Sequence, residues 1–219
     1  MTLPAAVLFD MDGTLIDSEP YWFAAEEWIV GEFGGSWDHE KSLELIGQGL
    51  WHSARILQSH GVALSEDEII DRLTTRVLEQ VALEVPWRPG ALELLREVRE
   101  AGLPTALVTM SIRRFASRIA EVAGDVFDVI VTGDEVEHSK PHPEAYLTAA
   151  RLLGVDPAHC VAIEDSPPGL ASAVAAGTVA IGVPHIAELA PSSDYTVWPT
   201  LAGRTVDDLR ELALSGRTS

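Results

Sequence analysis

The sequence predicts an α/β protein built on a doubly wound parallel sheet, with an all-helical segment inserted after the first strand. Three observations carry that expectation. The short apolar runs are near-continuous rather than alternating, as expected of strands buried on both faces. Helical patterns separate the last four of five such runs, the β-α-β-α rhythm of a parallel sheet. Between Asp17 and Trp87, by contrast, no stretch reads as a strand and several carry helical periodicity.

The five strand candidates span residues 5–9, 105–108, 126–132, 160–163 and 179–183. In the intervening segment, helical patterns cover residues 20–33, 41–46 and 50–60. A fourth follows Ser65 as its cap, with Ile69, Ile70, Leu73, Val77, Leu78 and Val81 on one side. Pro89-Gly90 opens the next helix, whose face carries Leu92, Leu95 and Val98 before Gly102 stops it. Ser111 is the expected cap of the helix that ends at Ala123-Gly124. Pro143 and Pro167-Pro168 open the last two helices, which end near Gly154 and Gly177. Residues 184–200 and the tail after Leu214 read as irregular. Two units follow from this pattern: a core from 1–17 with 87–219, and an inserted helical unit over 18–86, with hinges near 17–20 and 85–89.

Composition narrows the function. The chain has 219 residues, 47% of them hydrophobic and 22% charged, which suits a globular protein with a sizeable core. Its 34 acidic residues against 15 basic ones give a formal net charge of -19. That field repels nucleic acid and anionic membrane surfaces, so neither is an expected partner. A small anionic substrate remains compatible, provided a metal or a few placed cations reverse the sign locally. Cys160 is the single cysteine and sits in an apolar run, as a buried strand residue rather than a nucleophile. The stretch before Asp10 is too short for a signal peptide, and no apolar run approaches a membrane span of about 20 residues. A cytoplasmic location fits. Nothing in the sequence demands more than a monomer or weak dimer.

The strand pattern places polar residues at four carboxyl ends. Asp10 and Asp12 follow the first strand, and Thr109 and Ser111 the second. Lys140, one of two lysines with Lys41, lies in the connection after the third, and Glu164-Asp165-Ser166 follows the fourth. In a parallel sheet these ends share one edge, where α/β proteins bind ligands. Each residue alone has an ordinary structural explanation, as a turn, a helix cap or a solvated cation. Their convergence has a chemical logic: the acids offer hard oxygen ligands suited to Mg²⁺. A hydroxyl and a lysine remain for a phosphoryl group.

The segments Asp10-Met11-Asp12-Gly13-Thr14, Leu107-Val108-Thr109, Lys140-Pro141 and Glu164-Asp165 occur in the order seen in haloacid-dehalogenase-like hydrolases. Over nearly its whole length the chain resembles the branch of that family with a helical cap inserted after the first strand of a Rossmann-like core. Asp17-Ser18-Glu19-Pro20, Lys140-Pro141-His142-Pro143-Glu144 and Glu164-Asp165-Ser166 further resemble its sugar-phosphate phosphatases and β-phosphoglucomutases. The resemblance implies an Mg²⁺-dependent enzyme acting on a small phosphorylated metabolite. Asp10 is then the nucleophile that forms an aspartyl-phosphate, and Asp12 the acid and base. The Asp10 and Asp165 carboxylates and the Asp12 carbonyl would hold the metal, with Glu164 acting directly or through water. Thr109, the Met110 amide, Ser111 and Lys140 would hold the phosphoryl oxygens.

Within the family, Asp12 argues against a dehalogenase, since those members lack an acid at that place. Lys41 does not sit in the pattern of the phosphonate-cleaving members. The main rival is a mutase, whose first cap helix carries a histidine where this chain has Trp22. A non-catalytic phospho-ligand-binding protein is a second rival, disfavoured because Asp10, Asp12 and Lys140 are all present. Ile46-Gly47-Gln48-Gly49-Leu50 resembles the cap segment that reaches over the active site. Glu19, Gly47, Gln48, Trp51, His52 and Arg55 are therefore expected to recognise the substrate beyond its phosphate. Trp22, Trp28 and Trp37 are expected to pack the cap.

Overall fold

The protein is described by a computed structural model over residues 3–46 and 48–215. Strand β1 (Ala6–Phe9) leads into four helices: α1 (Glu19–Glu32), α2 (His39–Leu43), α3 (Leu50–Ser59) and α4 (Glu66–Leu83). The chain continues through α5 (Ala91–Glu100), β2 (Thr105–Val108), α6 (Arg113–Ala123) and β3 (Val129–Val131). It then passes through α7 (Glu144–Leu153), β4 (Cys160–Glu164), α8 (Pro167–Ala175), β5 (Val179–Gly182), β6 (Tyr195–Val197) and α9 (Val206–Ser215). The strands form one sheet in the order β3-β2-β1-β4-β5-β6, and every pairing is parallel.

That order reverses between β1 and β4. In an open parallel sheet the connections on either side of such a point diverge, leaving a crevice beyond the carboxyl ends. Asp10 follows β1 directly, and its amide still pairs with the Ile163 carbonyl of β4 at 3.0 Å. The topology therefore puts Asp10 at the mouth of the crevice.

Both sheet faces are buried, and side chains alternate between them. Ala6, Leu8, Ala106, Val108, Ala162 and Ala180 face one side with Ala145, Ala149 and Ala150 of α7 and Ala173 of α8. Small residues on both partners let these helices approach closely. Val7, Phe9, Leu107, Val161, Ile163 and Ile181 face the other side, in a core with larger side chains that continues into α1, α3 and α4. Cys160 is buried as the first residue of β4, as expected.

Helix ends follow local chemistry. Ser65 and Glu68 exchange side-chain and backbone hydrogen bonds in a capping box that opens α4, and Ser166 accepts from the Gly169 amide at 3.2 Å at the start of α8. Three expectations are corrected. Ser111 does not cap α6; Ile112 holds that position without a side-chain hydrogen bond, because the Ser111 hydroxyl donates to Asp12 at 2.8 Å. The third strand is shorter than 126–132, since Val126 sits in a turn and the Asp128 carboxylate accepts from the Thr105 amide at 2.9 Å. Residues 184–200 contain β6, an edge strand of three residues, two of them exposed, so no apolar run announces it. Helix α9 was also missed. Its signal was present in Thr205 and Asp208, which exchange backbone and side-chain hydrogen bonds at its start. Of the tail expected to be irregular, residues 216–219 lie outside the described residues.

The two connections to α1–α4 run side by side. The Asp17 amide donates to the Pro86 carbonyl at 2.8 Å, and Ile16 bridges Trp87. The Arg88 amide reaches the Leu15 carbonyl at 2.9 Å. Trp22 of α1 then packs edge-to-face on Phe115 of α6, with ring centroids 5.6 Å apart. Phe115 is fully buried, so Phe115→Ala should cost about 3–5 kcal/mol in urea unfolding; a loss under about 1 kcal/mol would show that this contact carries little.

Inside the helical insertion, Glu26 of α1 is buried. Its Oε2 accepts from Ser42 Oγ at 2.6 Å and from Trp37 Nε1 at 3.3 Å. Burial lifts its pKa from 4.5 to about 7, against the pull of those hydrogen bonds. The folded chain thus keeps a proton that the unfolded chain releases from about pH 4.5. This group's contribution to stability is full below that pH and is lost as pH rises towards 7, by about 3 kcal/mol. Glu26→Gln should flatten that part of the stability-pH curve and raise stability at pH 8; an unchanged slope between pH 5 and 7 would contradict the assignment.

Candidate active site

The loop after β1 turns tightly so that Asp10 and Asp12 face the crevice together. The Leu15 and Ile16 amides both donate to the Met11 carbonyl, at 2.9 and 3.1 Å. Gly13 closes the turn at φ +82°, and a Cβ there would stand 2.1 Å from Asp165 Oδ2. Both the dihedral and the contact require glycine.

Lys140 is the electrostatic centre. Its ammonium donates to Asp10 Oδ1 at 2.7 Å and to the Val108 carbonyl at 3.0 Å, and lies 2.6 Å from Glu164 Oε1. Burial alone would favour loss of its proton, but Asp10 and Glu164 outweigh it and hold the pKa above the ordinary lysine value. Tyr146 of α7 donates its hydroxyl to Glu164 Oε1 at 2.6 Å. The floor under Glu164 is Gly169, where a Cβ would stand 2.0 Å from Oε2. Burial, then repulsion from Asp10, lifts Glu164 to about 7, with Lys140 opposing.

Asp12 is held by four donors. Its Oδ1 accepts from Ser18 Oγ at 2.5 Å and Trp22 Nε1 at 3.4 Å. Its Oδ2 accepts from Thr109 Oγ1 at 3.1 Å and Ser111 Oγ at 2.8 Å. Burial raises its pKa most; the hydrogen bond from Ser18 pulls the other way, and the neighbouring Asp10 charge adds to the rise. Asp165 is raised well above the ordinary carboxylate range by burial and by the Asp10 and Glu164 charges.

One buried lysine thus faces Asp10, Asp12, Glu164 and Asp165. The surplus negative charge suits a cation, and one oxygen each from Asp10, Glu164 and Asp165 lie within 4.8 Å of one another. Asp10 Oδ2 is buried without a hydrogen-bond partner, an orphan acceptor of the kind a hard cation satisfies. Glu164 is largely committed to Lys140 and Tyr146, which leaves Asp10 and Asp165 as the freer acids. The Asp12 carboxylate lies outside this group.

A cavity opens above the site. From the sheet edge it is lined by Asp10, Asp12, Thr109, Met110, Ser111, Lys140 and Asp165. From the helical insertion it is lined by Glu19, Trp22, Phe23, Glu26, Ser42, Leu45, Ile46, Gln48, Leu50, Ser53 and Leu73. Of the residues expected to recognise substrate, Glu19 and Gln48 are therefore in place, and Gly47 lies outside the described residues. Trp51, His52 and Arg55 are corrected, since none lines the cavity. Trp51 turns its indole N–H to Asp67 at 3.2 Å, and Arg55 forms an exposed ion pair with Glu66 at 3.0 Å. On α3 it is Leu50 and Ser53 that point inward, three residues apart as one helix face requires.

Five residues near the site were not singled out in the sequence: Ser18, Trp22 in its contact with Asp12, Tyr146, Arg88 and His185. Ser18 and Trp22 lie four apart, the spacing that puts two side chains on one helix face. Arg88 donates to the Gly13 carbonyl and, at 2.9 Å, to the Pro184 carbonyl, tying the loop after β1 to the loop after β5. His185 donates its Nε2–H to Asp17 Oδ1 at 2.9 Å and lies 3.5 Å from Glu19 Oε2, which otherwise lacks a hydrogen bond. No local pattern marks these long-range contacts.

Comparison with known proteins agrees with this geometry. Residues 4–177 match the family model of the haloacid dehalogenase-like hydrolases. Hexitol phosphatase B of Escherichia coli O157:H7 is 32% identical, over 94% of this chain and 93% of its own. The crystal structure of CbbY from Rhodobacter sphaeroides in complex with phosphate superposes with a TM-score of 0.84 at 30% identity, covering 92% of this chain and 96% of that one. A mutant of the same protein has been crystallised with xylulose-(1,5)bisphosphate. β-Phosphoglucomutase from Clostridium difficile shares the fold, with a TM-score of 0.85 at 22% identity and coverage of 99% and 100%. The chain belongs to the haloacid dehalogenase-like hydrolase family, as a phosphoric monoester hydrolase.

Proposed function

We propose that the protein is an Mg²⁺-dependent phosphatase that hydrolyses a small phosphate monoester, a sugar phosphate or similar metabolite, through an aspartyl-phosphate on Asp10. The observation that carries this reading is the division of labour between two acids two residues apart. Asp10 is fixed by Lys140 and keeps an unpartnered oxygen. Asp12 is held away from that lysine by hydroxyl and indole donors. The phosphatase relatives support the same reading.

In the first step an Asp10 oxygen forms a bond to phosphorus as the bond to the leaving-group oxygen breaks, and Asp12 gives that oxygen its proton. Asp12, now a carboxylate, takes a proton from water; the water oxygen bonds to phosphorus and the bond to Asp10 breaks. Thr109, Ser111 and Lys140 hold the non-bridging oxygens, which requires the two hydroxyls to turn from Asp12 towards substrate. Asp10, Asp165 and the Asp12 main-chain carbonyl would hold Mg²⁺, which supplies charge neutralisation when bound. Glu164 and Tyr146 position Lys140 from below. Trp22 favours water as the acceptor over a second sugar, because its indole, unlike the histidine of the mutases, can donate to Asp12 but cannot relay a proton.

Two results test the mechanism. With Mg²⁺ the protein should release phosphate from an aryl phosphate, and Asp10→Asn or EDTA should lower the rate by about 10³-fold or more. Mg²⁺ should also raise the melting temperature of the wild type but not of Asp165→Ala. Turnover that survives both Asp10→Asn and EDTA rules the mechanism out. Asp12→Ala should slow hydrolysis of the intermediate by about 10²–10⁴-fold, while an aryl leaving group still departs. A burst of phenolate matching the enzyme concentration should then precede slow turnover. Absence of a burst, with Mg²⁺ binding lost instead, would remove the acid-base role from Asp12.

A further inference from the structure

Helix α1 lines the cavity with Glu19, Trp22 and Glu26, spaced at three and four residues on one face. Trp22 reaches Asp12 at 3.4 Å. Glu26 lies one turn farther along α1 from the sheet, about 6 Å from Trp22 in helix rise. The rest of the insertion's share of the lining is mostly apolar, with Phe23, Leu45, Ile46, Leu50 and Leu73 beside Ser42, Gln48 and Ser53.

Glu26 is only 5% exposed, yet its hydrogen bonds are one-sided. Ser42 and Trp37 both donate to Oε2. Oε1 takes no hydrogen bond among the described residues, and no cation pairs with the carboxyl. A buried carboxyl with an unpartnered oxygen in a cavity wall is costly unless something entering the cavity hydrogen-bonds it. The cationic side chains of the insertion, Lys41, Arg55, Arg72 and Arg76, do not help, since none lines the cavity. Among the described residues that line the cavity, Lys140 is the one basic side chain.

Resting on the phosphatase reading above, we propose that Glu26 is a specificity residue whose Oε1 hydrogen-bonds a distal hydroxyl of the substrate. The substrate is then a monophosphate whose uncharged, hydroxylated chain reaches about four to six carbons from the ester oxygen. Charge fixes this class. A phosphate group enters at the Lys140 end, whereas a second phosphate at the far end would meet an unpaired acid in apolar surroundings. The lifted pKa of Glu26 also favours a neutral partner over an ammonium group.

The test compares kcat/KM for three substrates with Mg²⁺: an acyclic hexitol monophosphate, xylulose 1,5-bisphosphate and an aryl phosphate without hydroxyls. The wild type should favour the hexitol monophosphate over the bisphosphate by about tenfold or more. Glu26→Leu should lower kcat/KM for the hexitol phosphate about tenfold more than for the aryl phosphate, mainly through KM. Glu26→Gln keeps the shape and an acceptor, so it should show a smaller change in the same ratio; it carries the test if the leucine variant folds poorly. A wild-type preference for the bisphosphate, or for an amino-sugar phosphate, overturns the proposal. So does an equal loss on hexitol and aryl substrates in both variants. Failure to turn over the aryl phosphate at all would instead refute the phosphatase reading.

Discussion

A buried ammonium among buried carboxyls is the constraint on which the site depends. Lys140 lies within hydrogen-bonding distance of Asp10 and Glu164 at once, and Tyr146 completes the ring from below. Removing such a charge leaves its partners without compensation, which costs far more than a surface pair is worth. The parallel sheet meets this demand by bringing the ends of β1 and β4 together and letting the connection after β3 swing over them. The alanine-rich face of the sheet matters here too. It lets α7 approach closely enough for Tyr146 to reach Glu164, so packing on one face serves electrostatics at the edge.

The same arrangement explains why two similar acids behave differently. Asp10 touches the lysine and keeps an oxygen open, while Asp12 is surrounded by neutral donors from two separate parts of the chain. Ser18 and Trp22 come from the insertion side, Thr109 and Ser111 from the end of β2. The insertion therefore does more than cover the site, because one face of α1 also holds the Asp12 carboxyl in place.

Much of this was legible in the sequence. Near-continuous apolar runs mark strands buried on both faces, and all five expected strands end within one residue of where they were expected, although β3 begins three residues later. Asp10, Asp12, Thr109, Lys140 and Asp165 could be grouped because strand ends in a parallel sheet share an edge, a rule that needs no side-chain geometry. What could not be read depends on direction. Trp51 and Arg55 fall in the right segment, but helical phase turns them to Asp67 and Glu66, away from the cavity. Glu26 stands next to Glu27 with no pattern to mark it, and only its burial against Trp37 and Ser42 distinguishes it. The strand β6 escaped because an exposed edge has no reason to be apolar.

The hydrogen bond from Asp17 to Pro86 joins the chain where it leaves the sheet to the chain where it returns. Residues 18–85 thus depart and come back at nearly one point, and the sheet closes beneath them without a gap. Such an arrangement makes the helical insertion exchangeable: its length and lining can drift while strand register and the catalytic edge stay fixed. Apart from the face of α1 that holds Asp12, the insertion's share of the cavity wall can then change without moving the edge that carries Asp10, Lys140 and Asp165.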